Sequence, residues 1–249
     1  MDTKRVFLDP EQNIYGMTEV SRMEKEPHSH YMKHILLSLE DRIQCTVDGE
    51  KLEGFGFAIQ SDALHAIHSR ASVLLISVPE LSPIGKSMNR LLFSEHSYAT
   101  FPESRVRDVQ EYWASATSRK DLLTEIFSRL EIPTQEPLNL DSRIEDLLHF
   151  LDSHEPGCYS LSALAAVVHL SEGRLSRLFH EETGVTLKSY LLLLKLSRAF
   201  SLILQGENLT TACIDAGFSS SAHFAYALHK WFGFTGQQLK QYINHVDFL

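Results

Sequence analysis

The chain has 249 residues, 43% of them hydrophobic and 22% charged, and carries a formal net charge of −9. Its length holds two ordinary domains with a core in each, and its composition excludes a disordered or fibrous chain. The absence of any apolar run near the ~18 residues of a membrane span, or of a signal-peptide core at the N-terminus, excludes a membrane partner and leads us to expect a cytoplasmic protein.

From about Asn13 to Val78 the pattern is that of short strands. Runs such as His34-Ile-Leu-Leu-Ser-Leu, Ile43-Gln-Cys-Thr-Val, Phe55-Gly-Phe-Ala-Ile and Val73-Leu-Leu-Ile-Ser-Val recur at roughly ten-residue intervals. Asp48-Gly49 between two of them marks a hairpin, because glycine accepts the positive φ of a tight turn. Residues 1–80 are therefore predicted to form a β-sandwich or barrel. Phe55 and Phe57 are candidates to line it.

Helical spacing takes over at Pro83. Val106, Val109, Tyr112 and Trp113 share one face, and Leu122, Leu123, Ile126, Phe127 and Leu130 share another. These faces are suited either to packing back on the β-domain or to meeting a second copy, so residues 81–131 read as a helical connector with a role in dimerisation. Ile132-Pro-Thr-Gln-Glu-Pro-Leu-Asn has two prolines and no periodicity, which makes 132–140 a linker. Residues 141–249 read as helices joined by brief turns.

This last part contains a repeat. Ser160 and Asn208 each cap a short helix, a turn follows, and a second helix begins near Ser171 or Ser220. Paired apolar residues four apart (Leu175 and Phe179; Phe224 and Leu228) lie on the second helices, and each segment closes on Gly-x-Thr, at Gly184 and Gly233. The spacing is that of two helix-turn-helix units, about 160–184 and 208–233. Between them Leu187 to Gln205 forms one continuous helical pattern halted by Gly206. At ~1.5 Å per residue this strut spans roughly 27 Å. It can hold two recognition helices about one turn of B-DNA apart, roughly 34 Å.

Residues 142–243 resemble the DNA-binding domain of AraC/XylS-family transcription regulators. The stretch Ala216-Gly-Phe-Ser-Ser-Ser-Ala-His-Phe-Ala-Tyr-Ala-Leu-His-Lys-Trp-Phe-Gly-Phe-Thr matches the second unit of that family. Leu175-Ser-Arg-Leu-Phe-His-Glu-Glu-Thr-Gly-Val matches the first. The resemblance implies a non-enzymatic regulator that reads double-stranded DNA. Gly173, Arg174, Ser176 and Arg177 would face bases from the first unit; Ser221, Ala222, Ala225 and Tyr226 would do so from the second. Lys188, Lys195, Arg198 and Lys230 would meet phosphates. The family usually has arginine at the positions of Tyr226 and Lys195, and proline at that of Gly236, which shifts base readout toward Arg174 and Arg177.

The N-terminal half resembles the small cupin-type barrels that precede this domain in many family members. Pro27-His-Ser-His30 would put two histidines on one side of a strand. With His65 across the barrel, His28 and His30 would form a three-histidine set for a divalent metal. The glutamate of metal-binding cupins is replaced by Lys33-His34, and the second motif reads Gln60-Ser-Asp-Ala-Leu-His65. These departures lead us to expect a barrel that senses a small-molecule effector or dimerises, with a divalent metal as the alternative cofactor. A cupin enzyme would need the missing acidic ligand, whereas an adaptor using residues 105–130 is compatible with DNA binding.

Residues 141–249 hold eight Lys/Arg against eleven Asp/Glu, a net of −3. With so few cations to displace counterions, non-specific DNA affinity should be weak, and a homodimer would gain effective concentration at paired half-sites. Cys45, Cys158 and Cys213 are far apart and odd in number, and read as reduced thiols.

Overall fold

The computed structural model describes residues 3–9, 15–20, 23–116, 122–154, 159–233, 235, 239 and 246–248. Cys158 and Gly236 lie outside the described residues. The chain divides into two compact units: residues 1–137 with 229–249, and residues 138–228.

The first unit is built on two sheets. Strands β1 (Thr3–Asp9), β2 (Tyr15–Val20), β4 (Lys33–Ser38), β7 (Gly56–Ile59), β9 (Val73–Val78), β10 (Tyr98–Thr100) and β11 (Val246–Phe248) form one, in the order β10-β7-β4-β9-β2-β1-β11. The other consists of β3 (Met23–His28), β5 (Ile43–Val47), β6 (Glu50–Gly54) and β8 (His65–Ser69), in the order β3-β8-β5-β6. The fold is cupin-like, yet among the described residues these two sheets do not join into one hydrogen-bonded barrel. Asp48 and Gly49 link β5 to β6 with φ of 48° and 89°, the two positive values of a type I′ hairpin.

Strands β4 and β9 are buried along their whole length because the large sheet is covered on both faces. Leu36, Phe57, Val73 and Leu75 point inward, where they meet Ile43, Cys45, Val47 and Ile67 of the small sheet. The alternate residues Ile35, Leu37, Ala58, Leu74 and Ile76 point outward. Helices α1 (Pro83–Leu92), α2 (Glu103–Ser115) and α3 (Leu122–Arg129) cover that outer face with Ile84, Met88, Val106, Val109, Ile126 and Phe127. The apolar stripes of the connector are therefore taken up by this chain's own sheet. Each such side chain contributes about 1.5–3 kcal/mol on burial.

Three local readings change. Phe57 is buried between the sheets, but Phe55 packs on the outer cluster beneath the guanidinium groups of Arg42 and Arg107. Strand β10 falls inside the stretch read as helical, and β11 inside the one read as all-α. Each is three residues long, too short to show an alternation, and each exists because a sheet edge was available to pair with.

The second unit is helical: α4 (Ser142–Ser153), α5 (Leu161–Val167), α6 (Glu172–Thr183), α7 (Leu187–Leu204), α8 (Leu209–Asp215) and the start of α9 (Ser221–Phe232). Ser160, Ser171, Thr186 and Asn208 each accept a backbone N–H at the start of α5, α6, α7 and α8. Ser220 does the same for His223 at the start of α9, at 3.1 Å. Such caps contribute about 0.5–2 kcal/mol each. Cys45 and Cys213 are buried free thiols, and burial pushes the Cys45 thiol up to about 12, which keeps it protonated and inert. Among the described residues no helix is long and apolar enough to cross a membrane.

Candidate nucleic-acid interface and histidine cluster

The turns inside the two repeats are the same backbone motif. After α5, the N–H of His169 donates to Ala166 O at 3.2 Å and that of Leu170 to Ala165 O at 2.9 Å. After α8, Gly217 N–H donates to Ile214 O at 2.8 Å and Phe218 N–H to Cys213 O at 3.0 Å. This paired pattern is a Schellman turn, which requires a left-handed residue at its pivot. Gly217 supplies it with φ of 82° and His169 with φ of 55°. A histidine in this conformation carries no left-handed signature in the sequence, although its alignment with Gly217 in the repeat is such a signal.

Each turn hands the chain to a helix with one buried and one exposed side. On α6, Leu175, Leu178 and Phe179 are buried, whereas Gly173, Arg174 and Arg177 are exposed and Ser176 half-buried. On α9, Phe224, Ala227 and Leu228 are buried, and Ser221, Ala222, Ala225 and Tyr226 are exposed. The eight residues predicted to face bases thus divide into two sets, each on the solvent side of its own helix. Tyr226 is 60% exposed, a large aromatic ring left in water. Among the described residues neither Arg174 nor Arg177 forms a side-chain ion pair.

The four cations predicted to meet phosphates are placed differently from one another. Lys188 is exposed, and Arg198 is half-buried. The Lys195 ammonium donates to Gly217 O at 2.7 Å, which ties α7 to the second turn. Lys230 lies 5.5 Å from the centre of the Tyr31 ring, and its carbonyl accepts the Tyr31 N–H at 3.0 Å.

Four histidines, His28, His30, His34 and His65, gather in the first unit. His28 on β3 and His65 on β8 are direct cross-strand partners, next to a bulge that begins after Lys25. His65 is thus a neighbour within the same sheet and not a residue from across the barrel. His30 follows the end of β3, so the His-x-His pair is not a simple strand alternation. One ring nitrogen from each of His28, His30 and His65 lies within 4.8 Å of the others. His34 joins them: its Nε2 is 2.7 Å from His30 Nε2. Beside this cluster Lys33 is fully buried and paired with Glu80. Burial lowers the Lys33 pKa against the pull of Glu80; burial raises that of Glu80, but Lys33, Ser61 and Asn89 outweigh it and hold the carboxyl below its ordinary value.

Comparison with known proteins follows the same division. A helix-turn-helix domain family matches residues 164–242. The HTH-type transcriptional activator RhaS of Escherichia fergusonii is 30% identical over 104 residues, which are 41% of this chain and 37% of that protein. RhaS of Shigella boydii serotype 18 is 32% identical over 130 residues, 51% of this chain and 47% of its own. The chain thus spans less than half the length of these relatives. ToxT from Vibrio cholerae O395 matches over 94% of this chain and 98% of its own, with 11% identity and a TM-score of 0.57, a likeness of fold. A fatty-acid-bound ToxT from strain SCE256 matches with a TM-score of 0.54 and 10% identity, over 93% of this chain and 95% of that one. With two helix-turn-helix units and a cupin-like β-domain, the chain is similar to transcription regulators of the AraC/XylS family.

Proposed function

We propose that this protein binds specific double-stranded DNA sequences through both helix-turn-helix units and regulates transcription in the cytoplasm, in response to an effector received by the β-domain. The observation that carries this reading is the pair of exposed faces on α6 and α9, each set behind the same Schellman turn. The two faces differ in chemistry. Arg174 and Arg177 suit guanine O6 and N7, for which bidentate arginine is the commonest partner, at about 1–3 kcal/mol per pair. Ala222, Ala225 and Tyr226 offer apolar contacts of the kind that recognise the thymine methyl. The first unit therefore reads G·C pairs and the second a thymine-containing half-site. Lys188 and Arg198 are the cations we assign to phosphates, with Lys195 and Lys230 holding structure.

Small-molecule sensing is supported by fold likeness to ToxT, which has been solved with an unsaturated fatty acid. The acidic balance supports a homodimer, since two linked readers offset weak phosphate attraction. Selection from a pool of random duplexes, with Arg177→Ala in parallel, tests the reading. We expect an enriched motif with two half-sites, and a relaxed preference at one position in the variant. Absence of any enriched motif at low salt would overturn it. Sedimentation of the protein alone and with selected DNA tests the dimer.

A further inference from the structure

The second recognition helix carries a polar side chain, His223, outside the set assigned to bases. Both recognition helices begin on the same cap. Arg174 N–H donates to Ser171 Oγ at 3.4 Å and His223 N–H to Ser220 Oγ at 3.1 Å, each across three residues. Leu175 and Phe179 follow in α6 as Phe224 and Leu228 follow in α9, and all four are buried. Counted from the caps, His223 therefore holds in α9 the place that Arg174 holds in α6, and Tyr226 the place of Arg177. The second turn is one residue longer, running from Gly217 to Ser220 against His169 to Ser171, so a count from the turn puts Ala222 there instead.

The imidazole is fixed by its surroundings. His223 is half-buried, and its ring stands edge-on to that of the buried Phe218, with centroids 5.4 Å apart and planes at 77°. Its Nδ1 lies 3.2 Å from Ser219 Oγ. Among the described residues Nε2 has no partner, and it is not shut off from solvent. A serine hydroxyl can donate or accept. When Nε2–H is given to an acceptor, Ser219 donates to Nδ1 and holds the ring in that tautomer. A ring held in this way loses little rotamer freedom when it meets a base.

We propose that His223 is a specificity-determining residue of the second unit, donating Nε2–H to a guanine in the major groove, and that Ser219 is the positioning residue that sets its tautomer. The inference rests on the DNA-binding function proposed above. Residues at the start of a recognition helix are the ones that reach base edges. A lone N–H donor favours guanine, whose major-groove edge offers the acceptors O6 and N7, whereas adenine sets a donor beside its N7. The second half-site therefore contains a guanine in addition to the thymine met by the apolar side chains. Both units read G·C pairs, the first with arginine and the second with histidine.

The test uses the full chain and the site selected from random duplexes. Binding to single-base variants of that site is measured for wild type, His223→Phe, His223→Gln, Ser219→Ala and Ser219→Thr. We expect wild type to lose about 10-fold when one guanine of the second half-site is replaced. His223→Phe keeps a ring against Phe218 but no donor, and should accept all four bases at that position within about twofold. His223→Gln should prefer adenine there, since a carboxamide pairs with N6 and N7; packing alone produces no such switch. Ser219→Ala should lower the discrimination about threefold, and Ser219→Thr, which keeps the hydroxyl, should restore it. Wild-type discrimination at every position in His223→Phe would overturn the role of His223, as would uniform weakening across the panel, the mark of a phosphate contact. If His223→Phe fails to fold, an unchanged guanine preference in His223→Gln would overturn it instead. Equal discrimination by Ser219→Ala and wild type would overturn the role of Ser219. A selected motif without guanine in the second half-site would sink this inference alone, whereas absence of any motif would sink the DNA-binding function with it.

Discussion

The Lys195 ammonium donates to the Gly217 carbonyl at 2.7 Å, joining the middle of the long helix α7 to the turn of the second helix-turn-helix unit. Gly217 is the left-handed pivot of that turn, and a Cβ there would lie 3.5 Å from Lys195 Nζ. One hydrogen bond to a charged donor contributes about 1.5–3 kcal/mol. We expect Lys195→Met to lower unfolding stability by about 1–2 kcal/mol and to weaken DNA binding without reducing its salt dependence. A fall of about one in the slope of log K against log salt would instead show a phosphate contact.

His169 occupies in the first repeat the position that Gly217 holds in the second, and its φ of 55° is unfavourable for a side chain. His169→Gly should raise stability by about 0.5 kcal/mol, the left-handed penalty being relieved and partly offset by glycine's entropy. His169→Val should lower it by more than 1 kcal/mol, since branching at Cβ worsens the strain. Denaturant melts of the three proteins check this. Lower stability for the glycine variant would show that the imidazole makes a compensating contact.

Arg177 and Tyr226 carry opposite expectations for readout. Arg177→Ala should cost about 1–3 kcal/mol at the preferred site and relax one base position. Tyr226→Arg should shift the second half-site toward guanine and steepen the salt dependence. Binding to a panel of single-base variants of the selected site reads both. Uniform weakening across the panel for Arg177→Ala would reassign that residue to a phosphate.

The buried pair of Lys33 and Glu80 makes a stability prediction with a definite pH sense. Glu80→Gln leaves the Lys33 ammonium without its counter-charge, at a cost of about 3–5 kcal/mol near neutrality. Burial already lowers the Lys33 pKa. The unfolded chain therefore binds the proton more tightly than the folded one, and the stability of Glu80→Gln should climb as pH rises toward the ordinary lysine range. Lys33→Met combined with Glu80→Gln should regain most of the loss and show no such climb. Melts of both variants from neutral pH upward decide it.

Asp141 caps α4 and accepts from the Arg143 guanidinium at 2.7 and 2.9 Å and from its N–H at 3.0 Å. The Arg143 side chain, then its N–H, lowers the Asp141 carboxyl to about 2. A carboxyl lowered in the folded state contributes stability above the ordinary carboxylate range and loses it as pH falls toward 2. An NMR titration should place Asp141 near that value, and Arg143→Gln, which keeps the backbone N–H bond, should raise it part of the way toward the ordinary value of about 4. A value near 4 in the wild type would show that the pair does not persist in solution.

Local signals settled much of this protein before any contact was known. Four helix starts were legible as Ser160, Ser171, Asn208 and Ser220, because capping is an interaction within four residues; the cap of α7, Thr186, stands just ahead of the predicted start at Leu187 and was not read as one. The Asp48-Gly49 hairpin and the halt of α7 before Gly206 were legible for the same reason. The sidedness of α6 and α9 followed from paired apolar residues, since one face of a helix repeats every three or four positions. Other features needed distant residues to meet. Strands β10 and β11 owe their form to the edges of a sheet assembled elsewhere in the chain. The connector's apolar faces fitted a second copy as well as the sheet, and only the outward set of Ile35, Leu37 and Leu74 decides between them. The partnership of His28 with His65 depends on register across two strands, and the bond from Lys195 to Gly217 on the packing of α7 against α8. Sequence specifies what happens over one turn of chain; which side chains become neighbours beyond that is decided by how the elements pack.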